Sequence, residues 1–109
     1  MPELLAVLTT QAINYGRRTI NSGPDTLTDS DAILLVNKGL GAITVTLPAA
    51  TGRNGRVYYV WRIDALGGVI TLAAAGSDLI NGAASVTLTA GQIALVLQIS
   101  ISSWIAKIW

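Results

Sequence analysis

Three runs decide the fold: Ile33-Leu34-Leu35-Val36-Asn37, Ile43-Thr44-Val45-Thr46-Leu47-Pro48 and Val57-Tyr58-Tyr59-Val60-Trp61-Arg62-Ile63-Asp64. They read as three successive β-strands. In the middle run Ile43, Val45 and Leu47 point one way, Thr44 and Thr46 the other, the period of a half-buried strand. Pro48 ends that run, because proline donates nothing to a ladder. Asn37-Lys38-Gly39-Leu40-Gly41 makes the first turn, and Ala49 to Gly55 forms the second loop.

Working outward, Val69-Ile70-Thr71-Leu72 and Val86-Thr87-Leu88-Thr89 repeat the alternation, and Asn81-Gly82 is a strong tight-turn signal. Short Leu79-Ile80, Gln92–Ser100 and Trp104–Trp109 complete seven or eight strands. No segment has helical periodicity over a helix length, so the pattern is that of a small sandwich or barrel. Segments 41–50, 67–76 and 84–91 look alike, which reads as hairpin repetition rather than a solenoid period.

Residues 1–24 differ. Leu4-Leu5-Ala6-Val7-Leu8 is a short apolar run, Gln11 to Asn21 is polar with Arg17-Arg18 inside it, and Ser22-Gly23-Pro24 punctuates the end. An extended arm fits this stretch, and so does an edge strand or one helical turn packed on the domain. Asp25 to Asp31 then forms a polar entry segment.

A chain of 109 residues holds one core. Only 12% of it is charged, about half the usual share, so either uncharged polar groups cover its surface or a partner does. The net charge of +1 gives no electrostatic case for nucleic acid or membrane binding. The N-terminus has no basic n-region or small-residue cleavage site. Leu79 to Ala106 is uncharged and long enough to span a bilayer, but Asn81, Gln92, Gln98 and many hydroxyls interrupt it, and its period is two.

With no Cys and no His, disulfides, thiolate chemistry and the commonest general base are excluded. Asp25, Asp29 and Asp31 offer oxygens for calcium, yet the EF-hand spacing is absent, and acids in such segments cap turns. No structural metal and no cofactor are expected. Arg17, Arg18, Arg53, Arg56 and Arg62 could form a patch, but no aromatic–basic interleaving accompanies them. Arg62 and Asp64 share a strand face, so they are expected to pair. Trp61, Trp104 and Trp109, with Tyr58 and Tyr59, could stack on a sugar; in a domain without Phe they are expected as core or oligomer-interface anchors. Tyr58 and Val60 share one face of their strand and Tyr59 and Trp61 the other, which points to burial on both sides. There is no nucleophile–base pair and no phosphate loop leading into a helix, so an enzyme is not expected.

Asp31–Asn37, Ala42–Ala49, Gly55–Tyr58, Val69–Leu72, Ile80–Ala83, Val86–Leu88 and Trp104 together resemble a β module of tailed-bacteriophage virion proteins, found in tail fibres, head fibres and capsid-decoration proteins. The resemblance covers about residues 29 to 109 and carries no catalytic residue with it. It implies a trimer-forming β-sandwich. A chain opening at Met with only a short arm before the module, and no fibrous shaft, resembles a stand-alone decoration protein more than a fibre.

The expectation is therefore an all-β domain, a small antiparallel β-sandwich or jelly-roll-like barrel over 25–109, with an extended N-terminal arm over 1–24. The expected function is capsid decoration: a homotrimer on the outer capsid surface of the virion, stabilising it. A receptor- or glycan-binding fibre tip is the alternative. The expected partners are copies of itself and the major capsid protein, with no nucleic acid and no membrane. Leu4, Leu5, Val7, Leu8, Arg17 and Arg18 are the expected capsid-binding residues.

Overall fold

The computed structural model describes residues 16–37, 41–64 and 68–109. Ten strands lie among them: β1 (Arg17–Ile20), β2 (Asp25–Thr26), β3 (Ile33–Val36), β4 (Ile43–Thr46), β5 (Val57–Arg62), β6 (Ile70–Ala73), β7 (Leu79–Ile80), β8 (Ser85–Leu88), β9 (Ile93–Ser100) and β10 (Ser103–Ile108). They form two sheets, ordered β1-β3-β5-β9-β10-β7 and β2-β4-β6-β8. The protein is a small all-β fold. No described helix is long and apolar enough to cross a membrane.

The chain winds. From β1 to β6 each strand crosses to the opposite sheet, so odd strands stack in one and even strands in the other. The stacking is parallel: β1 on β3, β3 on β5, β2 on β4 and β4 on β6. The last part closes this winding with antiparallel pairs, β8 on β6 and the β9–β10 hairpin on β5, while β7 runs parallel to β10 at the far edge.

Two expectations are corrected here. The pairing is mixed rather than antiparallel. Segments 41–50 and 67–76 look alike because they are successive rungs of the winding, in register as Ile43↔Ile70, Thr44↔Thr71 and Val45↔Leu72. Only 84–91 relates to its neighbour in the antiparallel sense, as Ile70↔Leu88 and Leu72↔Val86. Alternation with period two marks a strand but not its direction, and a connection that crosses between layers makes sequence neighbours parallel partners of the next strand but one. The uninterrupted apolar run of β3 fits this, since strands inside parallel sheets bury both faces.

The core lies between the sheets. Leu34, Val36, Tyr58, Val60, Ala94, Val96 and Trp104 from one meet Ile43, Val45, Ile70, Leu72 and Leu88 from the other. The alternation read in the sequence holds: Ile43, Val45 and Leu47 are buried, Thr44 is exposed and Thr46 half-buried. Tyr58 and Trp104 meet with ring centroids 5.8 Å apart at a tilt of 47°, an arrangement that aromatic quadrupoles favour.

The boundary expected at residue 24 also moves. Arg17–Ile20 is an edge strand of the larger sheet, in register with Ile33–Val36, so the domain already includes part of the expected arm. Gly16 leads into it with φ of +126°, and its carbonyl accepts from the N–H groups of Ala32 and Ile33. A Cβ there would stand 2.1 Å from the Ser30 carbonyl oxygen, which only glycine avoids.

Candidate interaction surface

The two outer faces have opposite chemistry. On the four-stranded sheet the outward positions align across strands as Thr44–Thr71–Thr87 and Thr26–Thr46–Ala73–Ser85. These are hydroxyl ladders, suited to water without any charge. On the six-stranded sheet the outward rows are Thr19–Leu35–Trp61–Ile93, Arg17–Ile33–Tyr59–Leu95–Lys107 and Val57–Leu97–Ile105. Trp109 extends the first row by exchanging two backbone hydrogen bonds with Ile93. This face is almost wholly apolar, and its two charges stand at opposite ends of one row.

A second apolar cluster sits on that face, with Ile33 and Tyr59 buried and Ala32, Leu35, Ile93 and Leu95 packed against them. Burial pushes the Tyr59 phenol above its ordinary pKa. Towards β9 and β10 the face opens: Leu97, Ile99, Ile105 and Trp109 are exposed, and Ile101 stands at the hairpin tip. Ordinary monomers seldom leave so continuous an apolar surface in water.

The charged residues gather elsewhere. At one end of the sandwich the loop after β2 is gripped by three arginines. Arg18, on β1, donates to Asp25 of the opposite sheet at 2.7 and 3.0 Å and to Asp31 at 2.9 and 3.1 Å, so one guanidinium ties the two layers at their open edge. Asp31 also accepts from the Thr28 N–H at 2.9 Å. Arg53 donates to Asp29 at 2.8 Å and to the Ala49 carbonyl at 2.7 Å. Arg56 donates to the Asp31 carbonyl and stacks 4.5 Å over the Tyr58 ring. Tyr58 closes the ring of contacts by donating to the Thr28 carbonyl at 3.0 Å.

Burial alone would push the Asp31 carboxyl up. The hydrogen bonds from Arg18 and Thr28 and the Arg18 charge outweigh it, so the carboxyl lies below its ordinary range. The side-chain hydrogen bonds to Asp25 and then Asp31 hold Arg18 firmly protonated. Burial raises the Tyr58 phenol. The oxygens that invited a calcium reading are thus engaged by arginines, and among the described residues no cluster of three or more acids, His or Cys stands together.

At the other end of β5, Arg62 is fully buried and donates to Asp64 at 3.1 and 3.3 Å and to the Gly68 carbonyl, the pair read from the sequence. Gln98, also buried, accepts from the Gly55 N–H at 2.8 Å and donates to the Ala50 carbonyl at 3.2 Å, tying β9 to the β4–β5 loop.

The sequence-derived site residues therefore separate. Tyr58 and Trp104 are core; Tyr59, Trp61 and Trp109 belong to the outer face of the larger sheet. Arg17 lies exposed on that face, whereas Arg18 is committed to its two aspartates. Leu4, Leu5, Val7 and Leu8 lie outside the described residues. Sequence reasoning missed Leu97, Ile99 and Ile105 as surface features. Their alternation in Gln92–Ser100 was visible, but which parity faces outward depends on the partner sheet. No protein-family model matches this chain, and no curated protein does either.

Proposed function

We propose that this is a structural virion protein of the capsid-decoration kind, a homotrimer that sits on the outer surface of an icosahedral phage shell and reinforces it. The observation that carries the reading is the contrast between the outer faces: hydroxyl ladders on one sheet, a nearly uncharged apolar face on the other. A protein that clamps a shell needs a rigid body and surfaces made for other proteins. The arginine-tied loop and the two-sheet core supply the first, and the apolar face the second. The strand-and-turn resemblance over residues 29 to 109 supports the same class.

In this reading residues before β1, with Leu4, Leu5, Val7 and Leu8, make the shell contact. Burying side chains of that kind is worth roughly 1.5–3 kcal/mol each. The experiment removes residues 2–15, leaving β1 in place, and mixes the protein with shells that lack it. The shortened chain should keep its β circular dichroism and mass but fail to co-sediment. Wild-type occupancy after truncation would refute the assignment of the contact to this segment. Failure of the intact chain to bind any such shell would refute the decoration reading.

One observation favours a glycan-binding fibre tip instead. Trp61 and Trp109 lie in one outward row with Ile93 between them, about 10 Å apart at two strand spacings, a span that a disaccharide could bridge. Negative-stain images of the virion separate the two readings, as spots on the shell or density at a fibre tip.

A further inference from the structure

We propose that Asn81 is a modification site: its side chain clasps β10 at the edge of the larger sheet, and spontaneous deamidation, gated by that clasp, releases it. β7 ends in a two-residue turn, Asn81-Gly82, with φ of +53° and +79°, and Ile80 and Ala83 exchange backbone hydrogen bonds across it at 2.6 and 2.9 Å. Positive φ at both central positions is what favours Asn-Gly there. The chain therefore leaves β10 after two paired residues. The last main-chain bond between the two strands runs from the Asn81 N–H to the Trp104 carbonyl at 3.0 Å. A parallel ladder would next engage Ala106. The Asn81 carboxamide takes that place. Its Oδ1 accepts from the Ala106 N–H at 2.8 Å, and its Nδ2 donates to the Ala106 carbonyl at 3.0 Å. One side chain stands in for a missing peptide unit.

The same dipeptide is chemically labile. Without a Cβ, Gly82 lets its nitrogen close on the Asn81 side chain. Both residues are exposed, nothing lies within 4 Å of where a Gly82 Cβ would stand, and the Gly82 N–H has no hydrogen-bond partner among the described residues. Hydroxide takes the Gly82 amide proton and the nitrogen attacks Asn81 Cγ. The new N–Cγ bond replaces Cγ–Nδ2, and Nδ2 leaves as ammonia. Water then opens the cyclic imide. Attack at Cγ gives a normal aspartate; attack at the main-chain carbonyl leaves the chain running through Cβ and Cγ as isoaspartate. Water is consumed, ammonia is released, and nothing is oxidised or reduced. Aspartate turns an acceptor toward the Ala106 carbonyl that Nδ2 had bound, and isoaspartate adds a backbone atom to a turn of two residues. While Oδ1 and Nδ2 are both held, the carboxamide cannot turn toward the Gly82 nitrogen, so reaction waits for the clasp to open. The other described Asn-Gly pair is built differently. The Asn54 side chain makes no hydrogen bond among the described residues, whereas the Gly55 N–H donates to Gln98 Oε1 at 2.8 Å. No ladder depends on the Asn54 carboxamide, so its conversion should leave the fold unchanged.

The test ages the full chain in mildly alkaline buffer, folded and in urea, and follows Asn81 by peptide mapping with mass spectrometry. Each bond of the clasp adds a modest factor of protection, so Asn81 should convert roughly 5- to 150-fold more slowly in the folded protein than in the unfolded chain. Melting curves of Asn81→Asp and Asn54→Asp supply a second readout. The first should melt about 4–8 °C below wild type, as the loss of one hydrogen bond from a domain of this size predicts. The second should melt with wild type. Equal rates at Asn81 in the two states would overturn gating by the clasp. A folded protein in which Asn81 never converts, over a time in which the unfolded chain converts fully, would overturn the site itself. An Asn81→Asp variant as stable as wild type would show that the clasp holds nothing. If that variant does not fold, the two wild-type rates still decide.

Discussion

Replacing Asp31 with alanine should destabilise the domain far more than replacing Asp29, although both aspartates pair with arginine two residues apart in one loop. Asp31 is 5% exposed. Its carboxylate takes two hydrogen bonds from Arg18 and one from the Thr28 N–H, and each bond to a charged group is worth roughly 1.5–3 kcal/mol. Arg18 keeps Asp25 and is itself partly exposed, so solvent compensates much of that sum. The net loss should be about 2–3 kcal/mol, a fall in Tm of about 10 °C for a domain of this size. The Asp29–Arg53 pair has Asp29 largely in water, and its loss should cost about 0.5 kcal/mol or less.

The pH dependence gives a second reading of the same contact. The folded Asp31 carboxyl lies below its ordinary value, so the folded state binds fewer protons than the unfolded chain. Its contribution is complete above the unfolded value, about 3.9, and disappears as pH falls through the lower folded value. Thermal melts of wild type and Asp31→Asn from pH 7 to pH 2 should therefore converge below about pH 4. Equal costs for Asp31→Ala and Asp29→Ala at pH 7, or a wild-type–variant gap that does not narrow as pH falls below about 4, would refute the argument that the buried Arg18–Asp31 contact dominates.

Two further substitutions test the core and the winding. Trp104→Ala should cost about 3–5 kcal/mol by denaturant unfolding. Trp104→Phe should cost much less, because the buried indole N–H has no hydrogen-bond partner among the described residues to lose. Gly68→Ala should lower stability by at least 1–3 kcal/mol, since a Cβ there would stand 1.9 Å from the Gly41 carbonyl oxygen of the rung below and backbone cannot step aside; an unchanged melting curve would show that the rungs are not so closely stacked.

What the sequence displayed was periodicity, and what it concealed was pairing. All eight strands from Ile33 onward were legible because β-branched and aromatic residues recur at period two or in short buried runs. β1 and β2 were not: Arg-Arg-Thr-Ile and Asp-Thr carry little apolar signal, and both lie at sheet edges where one side needs no ladder partner. Arg62–Asp64 was legible because its members stand two residues apart, at and just past the end of β5. Arg18–Asp31 was not, because thirteen residues, including a strand of the other sheet, separate them. Burial on both faces of Tyr58–Trp61 was read from the aromatics alone. The asymmetry between the outer faces required knowing that Thr44, Thr71 and Thr87 stand side by side.

That asymmetry resolves the puzzle of a surface with so few charges. The charges are largely consumed inside the fold. Arg18, Asp25, Asp29, Asp31, Arg53 and Arg56 bind one another and the loop they enclose, Arg62 and Asp64 are paired beneath the surface, and Asp78 accepts from the Ala50 N–H. Charges placed there fix loops that alternate between layers, where backbone groups lack regular ladder partners and must be satisfied by side chains. Solubility then falls to uncharged groups, and the threonine ladders of the smaller sheet supply them. The larger sheet has no such ladder. Its strands carry apolar residues on both sides because β3 and β5 are interior to a sheet built by winding, and β9 and β10 continue that face without covering it. With the charges engaged in the loops and the hydroxyls aligned on one face, the other face is left apolar.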